Sequence, residues 1–304
     1  MRETSGTLDG VVRSAAVADM LSRPPPNPSV PDDSNPFMTR LVARALLLSA
    51  CFAVAIGCGG RKATPAVTSA APAAPAITNG QSLVIAMRQK YGGQWFKTLS
   101  FTQNNTLYST RGTATNSQWR ERMVVPGKLR IDYLPLTQKS GVLFDGSRVH
   151  TFDNGRAIDA QPGVNALMLI TADLYAQPVE RTTHLLDSLG FDLSKLRRDA
   201  WETQPAYVVG ASANDSTTSQ FWIDAERLVA LRVVQKERRG TRDIVTDVRF
   251  GKFADFGGFP IATEVLQYRD GRLVFKEQYV DVQVNDPIPD TTFDATKWVA
   301  GQAK

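Results

Sequence analysis

The hydrophobic and polar residues of the C-terminal three quarters of the chain alternate in short runs. A period of two is typical of half-buried β-strands. The clearest runs at the start of this region are 99–103, 119–125, 129–133, 142–144 and 149–152. Asp145-Gly146 separates the last two runs and favours a tight hairpin turn. The pattern therefore predicts an antiparallel meander of strands.

A short helix is predicted before these strands. Leu83, Met87 and Tyr91 recur at a spacing of four residues, which is the period of one helix face. Ser82 is the predicted N-cap, because its hydroxyl can accept a hydrogen bond from the first turn. Gly92-Gly93 follows directly and is typical of a helix end.

Helical spacing also interrupts the strands in the middle of the chain. Leu167, Ile170 and Leu174 recur at positions that share one helix face. A second helix is predicted between Pro178 and Gly190, because proline favours a helix start and glycine a helix end. These helices are amphipathic enough to cover one face of a sheet.

Further strand patterns follow the helices. They cover 206–209, 221–223, 229–233, 244–250, 261–265 and 273–279. The chain thus has about a dozen predicted strands and three or four helices. This content predicts an α+β fold in which a large, curved antiparallel sheet is covered by a few helices.

A secretory signal precedes this region. Arg40 and Arg44 come before the apolar run 45–56. A charged segment followed by a short apolar run is typical of a signal peptide. The run is shorter than the roughly 20 residues that a membrane-spanning helix needs. We predict a signal peptide over 38–57 and an exported bacterial protein.

The apolar run closes on Ala55-Ile56-Gly57-Cys58, which resembles the bacterial lipobox. In that motif the cysteine carries the lipid, so Cys58 is the predicted attachment site for acyl chains such as palmitate. Ordinary signal cleavage nearby is the alternative, because most lipoboxes have leucine where this sequence has Ala55. Gly59 would be the second residue of the mature chain, which favours the periplasmic face of the outer membrane over the inner membrane.

Composition sets the remaining boundaries. Residues 1–37 are polar and lack apolar periodicity, so we expect an extension that is disordered or comes from a misplaced start, with a genuine cytoplasmic extension as the alternative. Residues 58–78 are rich in alanine, proline and threonine, which is typical of a flexible tether. The folded domain is predicted over 79–304.

Residue usage argues against several kinds of chemistry. Cys51 and Cys58 are the only cysteines, and both belong to the predicted signal and its end, so we expect no disulfide, zinc-thiolate site or cysteine nucleophile. His150 and His184 are far apart and have no partner at metal-ligand spacing. We therefore predict no metal, no cofactor and no enzyme activity.

Charged residues support the same interpretation. Asp243 with Asp247, and Glu264 with Asp270, are the carboxylate pairs that could support acid and base catalysis, but each lies in a strand pattern or a turn that predicts a solvated outer face. The basic stretch 236–242 is predicted to be a solvated hairpin loop, with contact to anionic lipid headgroups as the alternative. The net charge of +5 is modest, and an exported chain is not expected to bind nucleic acid.

Four short segments, taken in order, resemble the LolA/LolB-like superfamily of lipoprotein carriers and receptors. They are 101–103, 122–131, 142–146 and 165–170. The resemblance implies a half-open β-barrel whose apolar inner face is covered by helices, with acyl chains of a lipoprotein or lipid held between them. It also implies a lipid-anchored periplasmic binding protein that serves envelope lipoprotein sorting or sensing, and leaves its protein partners unidentified.

The resemblance and the alternation together give candidate ligand-binding residues. They are the strand residues Phe101, Trp119, Met123, Leu129, Ile131 and Leu143 and the helix residues Leu167, Ile170 and Leu174. The alternative is that these side chains form an ordinary packed core. The domain would then be an interaction or envelope-stress sensor module without a ligand.

One position departs from the family pattern. Soluble carriers of the superfamily have an arginine before the strand-turn proline that helps to hold the lid, whereas Val125 precedes Pro126 here. The absence of this latch, together with a lipid on Cys58 and the long tether, favours a fixed receptor over a diffusing carrier.

Overall fold

A computed structural model describes residues 76–302 of the chain. The predicted extension 1–37, the signal peptide 38–57, Cys58 and most of the tether lie outside the described residues. The predictions for these segments therefore stay predictions.

The first element is helix α1, Gly80–Lys90, and a capping box closes its N-terminus. The Asn79 side chain accepts from the Ser82 N–H at 2.8 Å, and Ser82 Oγ accepts from the Asn79 N–H at 2.9 Å. The prediction of Ser82 as N-cap is therefore wrong: Asn79 is the cap and Ser82 is its partner at N3. Leu83 and Met87 are fully buried, as their spacing predicts.

Thirteen antiparallel strands form one sheet in the described part of the chain. They are β1 Thr98–Tyr108, β2 Ala114–Val124, β3 Lys128–Tyr133, β4 Gly141–Asp145, β5 Arg148–Asp153, β6 Arg156–Pro162, β7 Leu196–Trp201, β8 Gln204–Val209, β9 Gln220–Asp224, β10 Ala230–Arg239, β11 Arg242–Asp255, β12 Pro260–Arg269 and β13 Arg272–Val284. Two meanders, β1–β6 and β7–β13, join where β1 pairs with β13. The sheet does not close, because β6 and β7 are its two edges.

Strand β6 was not expected from the sequence. Asn154-Gly155 turns the chain into another hairpin and does not end the meander. Almost every residue of β6 is exposed, and Ile158 keeps 62% of its surface accessible. Because β6 has no buried face, its sequence lacks the alternation on which strand prediction depends.

Three helical segments pack on one face of the sheet, which we call the inner face. Besides α1, they are α2, residues 166–176, and α3, Val179–Ser188. The inner side chains of the strands form the main core with Leu169, Leu174 and Leu186 of these helices. The α+β architecture predicted from the sequence is confirmed.

The last residues cover part of the opposite, outer face. Their short 3-10 turns are Asp290–Phe293, Ala295–Lys297 and Ala300–Gln302. Phe293 and Trp298 form a second buried cluster with Leu143 and Phe152, and the rings of Trp298 and Phe152 stack at 4.1 Å. Strands β3 and β4 are therefore buried on both faces.

A buried charge cluster fixes this C-terminal segment to the sheet. Asp132 is fully buried, and its carboxylate lies 2.9 Å from Arg130, 3.0 Å from Arg122 and 3.4 Å from Arg120. The three guanidinium groups also donate to backbone carbonyls of the segment, those of Thr292, Trp298, Gly301 and Gln302. Pairing and hydrogen bonding compensate for burying these charges, which would otherwise be costly.

Candidate functional site

An apolar cavity of about 140 Å³ lies between the inner face of the sheet and α2, and it is partly open to solvent. Most of its lining is aromatic or aliphatic. The lining residues are Trp95, Phe96, Leu99, Phe101, Trp119, Glu121, Met123, Leu129, Ile131, Asn165, Leu167, Met168, Thr171, Ala172, Val229, Ala230, Phe250, Phe253, Pro260, Ile261, Ala262, Val265, Glu277 and Tyr279. A concave, apolar space with a few polar groups is the usual form of a small-molecule site.

Helix α2 covers the cavity, and its local sequence explains its shape. Asn165 caps it, accepting from the N–H groups of Leu167 and Met168 at 3.0 Å each. The helix then runs as Ala166–Met168, a π-helical stretch Leu169–Asp173 and a final turn Leu174–Ala176. Within the π-helical stretch, Thr171 Oγ1 donates to the Leu167 carbonyl at 2.8 Å. Such π-helical stretches are frequent at functional sites.

Two hydrogen bonds tie the second half of α2 to the sheet. Tyr175 donates its hydroxyl to the Leu228 carbonyl at 2.7 Å. Asp173 Oδ1 accepts from the N–H of Gly127 at 2.9 Å, in the turn between β2 and β3. Val125, which stands where soluble carriers have the arginine, is buried in the main core. The arginine latch is absent, and Asp173 contacts this turn from the helix side instead.

Six of the nine side chains predicted to bind a ligand line the cavity: Phe101, Trp119, Met123, Leu129, Ile131 and Leu167. Leu143 does not, because its register partner is Arg130 and both point to the outer face. Its neighbours Val142 and Phe144 point inwards instead.

Ile170 and Leu174 also lie away from the cavity. Both side chains are fully buried in the main core. The face of α2 towards the cavity carries Leu167, Met168, Thr171 and Ala172. Leu167 and Thr171, like Met168 and Ala172, are four residues apart, so the residues towards the cavity share one helix face that is rotated from the predicted one.

Several residues that line the cavity were not predicted from the sequence. Trp95, which stacks on Tyr175 at 3.9 Å, comes from the loop before β1. Phe250, Ile261 and Val265 come from β11 and β12, for which only strand character was predicted. Alternation predicts which residues of one strand share a face, but not which distant strands meet over one cavity.

Two acidic residues in the cavity were also missed, although a signal was present. Glu121 lies between Trp119 and Met123 in the alternation of β2, and Glu277 lies between Phe275 and Tyr279 in that of β13. A period of two places each glutamate on the apolar inner face with its neighbours. A charged residue that occupies an apolar position of the strand alternation is therefore the sequence signal that indicates Glu121 and Glu277.

Burial changes the acidity of both groups. It raises the pKa of Glu277 to about 7, although the Tyr279 hydroxyl, which donates to it at 2.8 Å, has the opposite effect. Burial and the neighbouring Glu277 raise the pKa of Glu121 well above its usual value. Glu277 is half-buried and lines the apolar cavity, where desolvation outweighs the hydrogen bond from Tyr279. Both shifts favour the protonated form of the pair.

The carboxylate pairs considered for catalysis do not meet. Glu264 and Asp270 stand six residues apart along β12 and its turn, a separation of roughly 20 Å in extended chain. Asp243 bonds Lys236 and Arg238. Asp247 is buried and bonded by Arg232 at 2.7 Å, so the prediction that it is solvated is wrong: arginines on the outer face cover it.

Neither a metal site nor a membrane span is found in the described part of the chain. Residues 76–302 contain no group of three or more histidine, cysteine, aspartate or glutamate side chains arranged to hold a metal ion. His150 is bonded to Asp145 at 2.8 Å and His184 is exposed on α3. None of the helices in these residues has the length and apolarity to cross a membrane.

Comparison with solved structures decides the fold. A putative outer membrane lipoprotein-sorting protein domain from Vibrio parahaemolyticus is similar to this chain with a TM-score of 0.50 and 10% identity, over 72% of this chain and 98% of that domain. The chain shares the fold of this domain. No protein-family model and no curated protein sequence matches it.

Two weaker similarities cover most of the length of the matched chains. A LolA superfamily protein from Nitrosomonas europaea gives a TM-score of 0.47 at 14% identity, over 72% of this chain and 98% of that chain. A DUF1329 family protein from Desulfovibrio piger gives 0.49 at 13% identity, over 70% and 95%. Similarity of fold does not determine function, so the function of this chain has to be argued from its own cavity.

Proposed function

We propose that this protein is a lipid-anchored periplasmic binding protein that holds the acyl chains of a lipoprotein or lipid between the sheet and α2. The observation that carries the proposal is the apolar cavity of about 140 Å³ beneath α2. Protein interiors are normally packed as densely as organic crystals, so an open apolar space of this size favours an apolar ligand. The ligand is held without covalent change.

The cavity is too small to enclose a whole acyl chain. A space of roughly 150 Å³ accepts a guest no larger than benzene. An acyl chain is longer, so it either extends through the opening of the cavity or displaces α2 from the sheet. The π-helical stretch Leu169–Asp173 in the middle of α2 supports this helix as the moving part.

The lipid anchor and the location are supported by the sequence alone. Cys58 ends a predicted signal, a tether follows, and Gly59 favours the outer membrane. The missing arginine before Pro126 no longer favours a receptor, because Asp173 contacts the same turn. The proposal of a fixed receptor in lipoprotein sorting therefore rests on Cys58 and the tether.

Native mass spectrometry of the full chain, purified from its own envelope, tests acyl binding. We expect co-purified lipid, and a rise in melting temperature when fatty acid is added to the delipidated protein. Val265→Trp enlarges an inner-facing side chain that lines the cavity and should abolish both signals. Val280→Trp is the matched control, because Val280 lies on the outer face and is 40% exposed.

Retained lipid in Val280→Trp and none in Val265→Trp would support binding in the cavity. Equal lipid in both variants would place the lipid elsewhere. An absence of both lipid and thermal shift in the unaltered protein would contradict the proposal.

The outer face offers a second candidate function, that of an interaction or envelope-stress sensor module. The guanidinium groups of Arg232 and Arg249 lie 5.1 and 5.5 Å from the ring of Trp201, which is only partly buried. Accessible arginine and tryptophan are typical of protein-binding surfaces. Two results together would favour this function. The purified protein would contain no lipid, and it would capture a protein partner that the Trp201→Ala variant does not capture.

A further inference from the structure

The inner end of the cavity carries an acidic pair. Phe101 on β1 pairs with Glu121 on β2, and Asn105, four residues further along β1, pairs with Glu277 on β13. The two carboxyl groups thus flank β1 from opposite sides and both line the cavity. Glu277 is close enough to Glu121 to contribute to its raised pKa.

The lining of the cavity offers this pair no compensating cation. Among the described residues, no lysine, arginine or histidine lines the cavity. The polar groups on the neighbouring inner strand faces are Gln103, Asn105, Tyr133, Gln267 and Tyr279, together with Arg269, which is in phase with Gln267 on β12 beyond the lining. The residues of α2 that face the cavity are uncharged. An empty cavity therefore favours protonated carboxyl groups over a pair of carboxylates.

Hydrogen bonding at the pair is incomplete. The Glu277 carboxylate accepts from Tyr279, but Glu121, which is only 8% exposed, has no hydrogen-bond partner in the described part of the chain. Buried beside it, Gln103 donates to Asn105 at 2.7 Å, while Gln103 Oε1 and Asn105 Nδ2 have no partner. Buried polar groups are nearly always satisfied in proteins. Glu121 lines the apolar cavity, and its raised pKa favours the protonated form, which can donate a hydrogen bond.

The geometry points to a cavity that selects neutral, carbonyl-linked acyl groups, with the carboxyl group of Glu121, supported by Glu277, donating to the ester or amide carbonyl of the ligand. This inference rests on the proposed acyl binding and specifies the chemistry of its ligand. A protonated carboxyl group in an apolar site is an effective donor to a carbonyl oxygen. A free fatty-acid carboxylate is disfavoured, because it adds a negative charge beside the pair in a dry site.

Three pyrene-labelled probes with the same hydrocarbon chain test this selectivity in the full chain: a methyl ester, the free carboxylic acid and a primary amine. Affinity is measured by fluorescence titration from about pH 5 to about pH 9, across the raised pKa of the pair. We expect the ester to bind roughly tenfold tighter than the ionised acid near neutral pH. Ester affinity should fall at high pH, as the pair loses its protons.

Two substitutions at one position separate hydrogen bonding from packing. Glu121→Gln keeps an N–H donor that does not ionise, so ester affinity should stay within about twofold and its fall at high pH should shrink. Glu121→Leu removes the donor and should lower ester affinity roughly tenfold, towards that of the other probes. Circular dichroism confirms that each variant is folded.

Three other outcomes would overturn the inference. If the amine bound most tightly and its affinity rose with pH, Glu121 and Glu277 would form a cation site. Equal binding of all three probes would remove the selectivity and leave acyl binding intact. No binding of any probe would overturn the proposed function as well.

Discussion

The carboxylate of Asp173 on α2 accepts a hydrogen bond from the backbone N–H of Gly127 at 2.9 Å, which joins the cover of the cavity to the turn between β2 and β3. Asp173 is only 4% exposed. Burial raises its pKa to about 7, although the bond from Gly127 and the nearby Arg181 oppose the rise. The contact is therefore sensitive to pH in the neutral range.

The pH dependence follows from the direction of this shift. Since the folded pKa of Asp173 lies above the unfolded one, its contribution to stability is fully present below about pH 4 and is lost as pH rises through about 7. The loss is on the order of 4 kcal/mol. Asp173→Asn keeps an oxygen for Gly127 but does not ionise, so it should be more stable than the unaltered protein at about pH 8.5 and similar at about pH 4.

Urea unfolding at these two pH values measures the difference. Asp187→Asn on α3, where the side chain is exposed, is the matched control and should change little at either pH. A loss of stability in Asp173→Asn at both pH values would mean that the ionised carboxylate itself holds α2.

Asp132→Asn should destabilise the protein strongly. Burial raises the pKa of Asp132, but the hydrogen bond from Arg130 and the charges of three arginines outweigh it and lower the pKa overall. Removing the charge leaves buried guanidinium groups unpaired, which typically costs about 3–5 kcal/mol. Urea unfolding measures the loss, and faster amide exchange should appear in the C-terminal 3-10 turns.

Asp159→Asn in the exposed strand β6 is the control for Asp132→Asn. Because the folded pKa of Asp132 is depressed, its stabilisation is present above the unfolded pKa and is lost as pH falls through the folded one. Equal stability of the two variants near neutral pH would show that the cluster does not hold the C-terminal segment.

Gly301→Ala tests the close approach beneath the C-terminal segment. A Cβ atom at this position would lie 2.5 Å from Arg130 Nη1 and 2.9 Å from the Thr291 carbonyl oxygen. The cluster has to shift to admit a methyl group, and we expect a loss of about 1–3 kcal/mol in unfolding free energy. Gly251→Ala, which meets nothing within 4 Å, should be neutral. Similar melting temperatures for the two variants would contradict the close contact of Gly301 with Arg130 and the Thr291 carbonyl.

Leu143→Ala and Met123→Ala separate the two faces of the sheet. Leu143 is fully buried in the outer cluster, so its truncation should cost about 2–5 kcal/mol in stability and leave binding of the pyrene ester unchanged. Met123 lines the cavity, so its truncation should cost less and alter ester affinity. Denaturation and fluorescence titration of both variants give the comparison. If only Leu143→Ala lost affinity for the pyrene ester, Leu143 and not Met123 would face the cavity.

Cys58→Ala tests the predicted anchor. We expect it to abolish incorporation of labelled palmitate and to move the protein from the membrane to the soluble fraction, because anchoring depends on several acyl chains. Cys51→Ala, in the middle of the predicted signal, should retain the label. Labelling that persists in Cys58→Ala would exclude this attachment site.

Local residue order was sufficient to predict most elements of the fold. Eleven of the thirteen strands left a pattern that predicts a strand, as in the Leu129, Ile131 and Tyr133 of β3. The exceptions are β6 and β7, in which no residue is buried. The hairpin turns at Asp145-Gly146 and Asp270-Gly271 follow from turn chemistry, because Gly146, Asp270 and Gly271 have positive φ.

The candidate site could be predicted only in part, for a geometric reason. A period of two says that Leu143 points away from Val142 and Phe144, but not which of them faces the helices. That choice was made by register, since Leu143 pairs with Arg130 above the C-terminal segment. Likewise, periodicity predicts that α2 buries apolar residues but not which of them border the cavity, because apolar residues occur on more than one side of this helix.

The sequence by itself determined the antiparallel strands, the helices that interrupt them and the predicted export signal before Cys58, because these depend on short-range patterns. Tertiary structure alone decided that Glu121 and Glu277 share one cavity, that Asp173 reaches Gly127 and that Asp132 gathers three arginines. Glu121 and Glu277 are far apart in the chain, and only the pairing of β1 with β13 brings their strands to either side of one neighbour. Such contacts depend on the register between strands that are distant in the chain, and local periodicity does not predict that register.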